Sequence, residues 1–137
     1  MHVLAISGSL RSGSYNTALL REAAEVAPAG VELELYEGLE LLPPYNEDDD
    51  QEEGPVEGAR LRDAISRADA LLIATPEYNG RSLGLAGARV LEVELPVARA
   101  HERFDAEGHL LDEQLRERLA ETVRELAATV ETFAAAA

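Results

Sequence analysis

The sequence predicts an α/β fold in which helices cover both faces of an open, mainly parallel sheet. Two short runs carry this prediction, residues 3–6 and 70–75, because they are apolar almost throughout and do not alternate with charged residues. Such runs are typical of strands that are buried on both faces of a parallel sheet. Between them lie a helical pattern, an alternating strand and a second helical pattern, joined by short links. The order β-α-β-α-β indicates this fold class.

Length and composition favour a single domain over residues 1–137 with an aliphatic core. The chain has no cysteine, so a disulfide framework, a thiolate nucleophile and a cysteine metal site are all excluded. No apolar run approaches the roughly 20 residues of a membrane span, and the N-terminus lacks a signal-peptide pattern. We therefore expect a cytoplasmic protein.

The charge balance is strongly acidic, with a formal net charge of −15. This charge argues against binding to nucleic acid and against attraction to an anionic membrane. The acidic run at residues 47–53 lacks the ligand spacing of an EF-hand loop, and a solvated loop is the simpler interpretation. The three histidines are scattered without metal-ligand spacing, so we predict no metal site.

Periodicity places the other elements. Residues 31–35 alternate between apolar residues and glutamate, which predicts a half-exposed edge strand. Apolar residues at helical spacing predict one helix from about Asn16 to Ala27 and a second that begins near Pro55. Asp112 is the predicted N-cap of a last helix. The apolar stripe of that helix consists of Leu115, Leu119, Val123, Leu126, Val130 and Phe133.

The loop after the first strand has the composition of an anion site. Residues 7–14 are small and polar apart from Leu10 and the cation Arg11, and a helix follows at once. Free N–H groups and the dipole of a helix start attract anions, and an arginine fork suits a phosphate. The loop has neither the Gly-Lys-Ser/Thr of a Walker loop nor the three glycines of the dinucleotide fingerprint. An ordinary turn capped by Ser14 or Asn16 remains the alternative.

The third strand ends in a second informative loop, Thr-Pro-Glu-Tyr-Asn-Gly at residues 75–80. In an open parallel sheet, ligands bind outside the carboxyl ends of the strands. The two loops should therefore face the same crevice.

Together these loops resemble the NADPH-dependent FMN reductase family of flavodoxin-like proteins. The resemblance rests on residues 8–16, 44–48, 68–69 and 75–79, and it resumes at residues 87–90 and 99–105. It implies that the FMN phosphate is held by Ser9, Arg11, Ser14, Tyr15 and Asn16. It also implies that the ribityl chain and isoalloxazine ring are lined by Pro76, Glu77, Tyr78, Asn79 and Gly80.

The same resemblance implies FMN as the cofactor, NADPH as the electron donor and a small molecule as the electron acceptor. The expected activity is that of an NAD(P)H-dependent oxidoreductase of the flavin or quinone reductase type. Hydride transfer through a flavin needs no protein nucleophile, so no catalytic residue is assigned. Glu77 is expected to position or hydrogen-bond rather than to act as a base.

The sequence departs from the family after Gly80. Only nine residues, 80–88, separate the third strand from the alternating segment 90–97, which we interpret as a fourth strand. A parallel crossover normally needs about a dozen residues or more. The family's next helix, its fourth strand and a loop that helps to enclose the flavin ring are missing.

The shortened flavodoxin-like sheet, with about four strands and three helices, leaves several arrangements open. The last strand could turn back antiparallel, lie loosely at the edge, or cross to a second chain. We favour a homo-oligomer, a dimer that could exchange its C-terminal strand and helix, because the third strand is too apolar for an open edge. The alternative functions are a non-catalytic, oligomeric binding or structural protein, and a site for a different phosphate ligand.

Overall fold

A computed structural model describes residues 1–44, 55–75, 91 and 94–136 of the chain. Its elements are β1 (His2–Ser7), α1 (Tyr15–Glu25), β2 (Glu32–Leu35), α2 (Val56–Arg67), β3 (Ala70–Ala74) and α3 (Glu113–Ala136). Single 3-10 turns lie at Leu39–Leu41 and Ala100–Glu102. The predicted fold class is confirmed: the described strands form an open parallel sheet in the order β2-β1-β3.

The central strand, β1, forms the inner core. Val3, Leu4 and Ala5 are each only 1% exposed, because both neighbouring strands and both helical layers surround them. The parallel register sets Ala5 opposite Leu35 of β2 and Leu72 of β3. This arrangement matches the continuous apolar run that predicted the strand.

Helices cover both faces of the sheet, as predicted. On one face, Ala23 of α1 packs with Leu119 and Val123 of α3, and Leu33 and Leu72 of the sheet pack against this cluster. On the other face α2 contacts β1. None of the helices in the described ranges has the length and apolar composition needed to cross a membrane.

The predicted helix starts are confirmed. The Ser14 hydroxyl accepts a hydrogen bond from the Thr17 N–H at the start of α1, at 3.4 Å. Asp112 accepts one from the Leu115 N–H at 3.0 Å, just before α3. These caps satisfy donors that the first helical turn leaves without a partner.

Two predictions about burial and strands were wrong in part. Only Ala74 of β3 is buried and its other four residues are half-buried, because among the described strands β3 pairs only with β1. Residue 91 and residues 94–97, the described part of the predicted fourth strand, are not in a strand. Leu95 instead packs on the cluster between α1 and α3, so its apolar side chain is partly buried although its backbone is not in a strand.

Some sequence features lie outside the described residues, among them the acidic run 47–53 and the loop from Pro76 to Gly80. Within the described ranges, no group of three or more histidine, aspartate or glutamate side chains could hold a metal ion.

Candidate functional site

The loop between β1 and α1 leaves the sheet at its carboxyl edge, next to the end of β3. The Gly8 N–H donates to the Ala74 carbonyl at 2.7 Å, so β1 and β3 remain paired up to their last residues. A tight turn follows, in which the Ser14 N–H donates to the Arg11 carbonyl at 3.1 Å. The turn brings the chain directly into the first residue of α1.

A chain of hydroxyl groups ties this loop to the helix. The Thr17 hydroxyl donates to the Ser7 hydroxyl at 2.9 Å, and the Ser7 hydroxyl donates to the Ser9 carbonyl at 3.2 Å. Ser7 is buried, and these two hydrogen bonds supply its hydroxyl group with the partners that water would otherwise provide. Ser7 and Thr17 are not among the site residues predicted from the sequence. The available signal was the position of Thr17, three residues after the predicted cap.

The Ser14 cap leaves two backbone N–H groups at the start of α1 without an acceptor among the described residues. Its hydroxyl oxygen accepts from the Thr17 N–H, and its carbonyl accepts from the Ala18 N–H at 3.0 Å. The N–H groups of Tyr15 and Asn16 have no acceptor among the described residues, as helix geometry requires for a first turn. The Ser14 hydroxyl keeps its own proton to donate to a ligand.

The structure brings five of the ten predicted site residues together. Ser9, Arg11, Ser14, Tyr15 and Asn16 all lie in the loop or the first turn of α1. The other five, from Pro76 to Gly80, lie outside the described residues.

The electrostatics of the loop suit an anion such as a phosphate. Arg11 is exposed and forms no ion pair within the part of the chain that the structure describes. Residues 7–17 contain no carboxylate, although the whole chain carries a charge of −15. Backbone donors, hydroxyl-bearing residues and one arginine therefore occur together in the short loop that leads to the positive end of the helix dipole. The donors that are present fit a phosphate group.

Tyr15 makes a contact that the sequence analysis did not predict. Its ring lies 5.6 Å from the ring of Phe104, centroid to centroid, with the planes tilted by 32°. Phe104 is buried, whereas Tyr15 is 42% exposed. The Tyr15 ring therefore packs against Phe104 and is at the same time partly exposed to solvent.

Gly8 marks the closest approach between the two strand ends. A Cβ atom at this position would lie 3.0 Å from the Thr75 Oγ1 and 3.2 Å from the Thr75 Cα. Both distances are shorter than ordinary van der Waals contacts between these atoms. Glycine therefore allows the loops after β1 and β3 to begin side by side.

The fold and this loop define an α/β protein with a candidate anion site at the carboxyl edge of its sheet. The sequence model of one family, NADPH-dependent FMN reductase, matches residues 1–85. The NAD(P)H-dependent FMN reductase PA1204 of Pseudomonas aeruginosa is 34% identical, over 90% of this chain and 92% of its own length. The chain belongs to the NADPH-dependent FMN reductase family. Membership confirms the prediction of FMN as the cofactor and NADPH as the electron donor.

Two further comparisons agree with the family and the fold. A quinone reductase of Pseudomonas putida is 46% identical over 77 residues, which are 56% of this chain and 41% of that protein. The flavoenzyme NAD(P)H:(acceptor) oxidoreductase FerB of Paracoccus denitrificans superposes with a TM-score of 0.68 at 23% identity. That superposition covers 96% of this chain and 97% of FerB, and it supports the flavodoxin-like fold.

The comparison with PA1204 also supports the predicted internal deletion. The alignment runs over 171 residues, although this chain has only 137. PA1204 therefore has residues within the aligned region that have no counterpart here. This is the result expected for a family member that lacks an internal segment.

We expect Gly8→Ala to destabilise the protein relative to Gly13→Ala. The added methyl group at residue 8 would press on Thr75, whereas a Cβ at Gly13 meets nothing within 4 Å. Overpacking of this kind costs about 1–3 kcal/mol in the free energy of unfolding. Urea denaturation of the two variants measures the difference, and equal midpoints would show that the two strand ends are not in tight contact.

Proposed function

We propose that this chain is an FMN-binding, NAD(P)H-dependent oxidoreductase of the flavin or quinone reductase type. The observation that carries the proposal is the loop between β1 and α1. It has two helix N–H groups without an acceptor among the described residues, an exposed arginine, and no carboxylate within residues 7–17. Membership of the NADPH-dependent FMN reductase family supports the same conclusion.

In this proposal the phosphate of FMN binds at the start of α1. The N–H groups of Tyr15 and Asn16 donate to it, the Arg11 guanidinium neutralises charge, and the hydroxyl groups of Ser9 and Ser14 add hydrogen bonds. Bound FMN would supply the hydride acceptor and donor chemistry, while the protein positions the rings and excludes water. The residues of the loop therefore bind and orient, and none acts as a nucleophile.

The ring end of the site is proposed to involve Pro76, Glu77, Tyr78, Asn79 and Gly80. We infer that the missing internal segment leaves this end less enclosed, so that affinity for FMN depends mainly on the phosphate end and turnover is reduced. The proposed acceptor is a small molecule, since relatives include a quinone reductase. A cytoplasmic location fits a reductase that draws on a nicotinamide pool.

We expect Arg11→Ala to weaken FMN binding strongly. Loss of one charge-assisted hydrogen bond costs about 1.5–3 kcal/mol, which raises the Kd for FMN about tenfold to a hundredfold. Arg21→Ala is the matched control, because it removes the same charge from an exposed position two turns along α1. Titration of the apo-protein, followed by flavin fluorescence, measures both.

An equal loss of affinity in both variants would indicate only a general charge effect and would count against the loop as the phosphate site. Competition by inorganic phosphate tests the other ligand hypothesis. If phosphate displaces FMN at similar concentrations, the loop binds phosphate groups without selecting the flavin.

We also propose that the chain forms a homodimer through the outer edge of β3. Four of the five residues of β3 are only half-buried, and among the described strands β3 is the last in the order β2-β1-β3. An apolar strand with an open edge tends to pair with another strand. Because α3 packs on α1 of its own chain, this contact requires no exchange of the last helix.

Light scattering on the full chain, with and without FMN, tests the assembly. The proposal predicts twice the monomer mass in both conditions. A monomeric mass would contradict it. A dimer that binds no FMN would instead favour the alternative, a non-catalytic protein whose shortened sheet serves assembly or binding.

A further inference from the structure

Residues 104–110, here called the 104–110 hairpin, form a compact element between the described sheet and α3. Phe104 and Leu110 form an antiparallel bridge, and the Asp105 N–H donates to the His109 carbonyl at 3.0 Å. The His109 N–H donates to the Asp105 carboxylate at 2.7 Å, which lowers the pKa of Asp105 below its ordinary value of 3.8. Gly108 adopts a φ of +88°, a left-handed conformation that favours glycine.

The 104–110 hairpin lies along one face of α1. Its contacts fall on Tyr15, Ala18 and Glu22, which are spaced i, i+3 and i+7 and so share a helix face. Phe104 packs on Tyr15, and a Cβ at Gly108 would lie 3.8 Å from the Cβ of Ala18. The hairpin therefore extends from the first residue of the helix to its eighth.

A buried carboxylate fixes the far end of this contact. Glu22 is buried, and its Oε1 accepts a hydrogen bond from the Leu110 N–H at 3.3 Å. Its Oε2 lies 3.6 Å from the Arg116 Nε of α3. Burial of a carboxylate is costly unless it is paired, so these two partners hold Glu22, the hairpin and α3 in one arrangement.

We propose that the 104–110 hairpin is a positioning element for the FMN phosphate site. It holds the ring of Tyr15 through Phe104 and so fixes the first turn of α1, where the phosphate is proposed to bind. The inference rests on the proposed function. Phe104 and Glu22 are positioning residues, because both act through α1.

The geometry explains why this contact matters for a phosphate and less for the rest of a flavin. Tyr15 is the first residue of α1, and its backbone N–H is one of the two unpaired donors. A ring that is free to move would allow the first helical turn to fray and would misalign these donors.

The direct test is Phe104→Leu, which keeps an apolar side chain but removes the ring contact. Because the aromatic pair stabilises beyond simple burial, its loss should raise the Kd for FMN about threefold to tenfold. The Kd for riboflavin, which is FMN without its phosphate, should change less than about twofold by the same reasoning. A role limited to overall stability would not change the preference for FMN over riboflavin.

A second variant keeps the test decisive if Phe104→Leu does not fold. Gly108→Ala strains the turn of the hairpin, and Gly30→Ala is its matched control. Gly30 has nearly the same φ, +87°, and lies in the link between α1 and β2, at the other end of α1. We expect both variants to lose similar stability, while only Gly108→Ala loses preference for FMN over riboflavin.

The outcomes separate the two proposals. A wild-type chain that binds no FMN would overturn the proposed function and the role of the hairpin with it. A wild-type chain that binds FMN, with unchanged preference in both Phe104→Leu and Gly108→Ala, would overturn the positioning role alone. Equal weakening of FMN and riboflavin binding would also overturn it.

Discussion

The candidate site depends on the parallel pairing of β1 with β3 up to their carboxyl ends. The register runs from Val3 opposite Ala70 to Ser7 opposite Ala74, and the Gly8 N–H extends it by one more hydrogen bond. Because the two strands remain paired to their last residues, the loops that follow begin side by side. A side chain at residue 8 would meet Thr75, so the absence of one is part of this arrangement. The side-by-side start of the two loops is thus a consequence of backbone pairing, and the residues of the loop after β1 give this edge of the sheet its chemical character.

The loop after β1 is locally positive, whereas the whole protein is strongly negative. At a net charge of −15, the long-range field repels an anionic cofactor. Screening reduces this repulsion beyond about 8 Å at physiological ionic strength, whereas contacts inside the loop are hardly screened. The helix start, the Ser14 hydroxyl and Arg11 act at that short range. In the proposed binding mode these donors must be held in place, and the hydroxyl chain from Thr17 to Ser9 and the contact between Phe104 and Tyr15 are the features that hold the loop and the start of α1.

Much of this could be predicted from the sequence because the signals are local or periodic. The apolar runs defined β1 and β3, and Ser14 and Asp112 cap the helices that follow them, as expected. The alternation in residues 31–35 corresponds to β2, with its glutamates exposed. The loop after β1 was predicted as a candidate anion site because its small polar residues and Arg11 lie directly before a helix, while the assignment of five of its residues to the FMN phosphate came from the family resemblance.

The remaining features involve residues that are far apart and leave no period in the sequence. Glu22 meets Leu110 across 88 positions, and nothing around either residue indicates the other. Residues 90–97 alternate as a strand would, yet Leu95 packs between two helices. An alternating pattern indicates which side chains are apolar, and two packed helices can bury such side chains as well as a sheet can. The half-burial of β3 likewise depends on which strands lie beside it, which its own residues do not reveal.

The central claim is that the start of α1 binds the phosphate of FMN, and amide chemical shifts test it most directly. Proton–nitrogen spectra of the full chain would be recorded with FMN and, separately, with riboflavin. The account predicts that the amide signals of Tyr15 and Asn16 shift strongly with FMN and far less with riboflavin, because only FMN carries the phosphate. Shifts of equal size with both ligands, or unshifted signals at residues 15 and 16 with FMN bound, would contradict it.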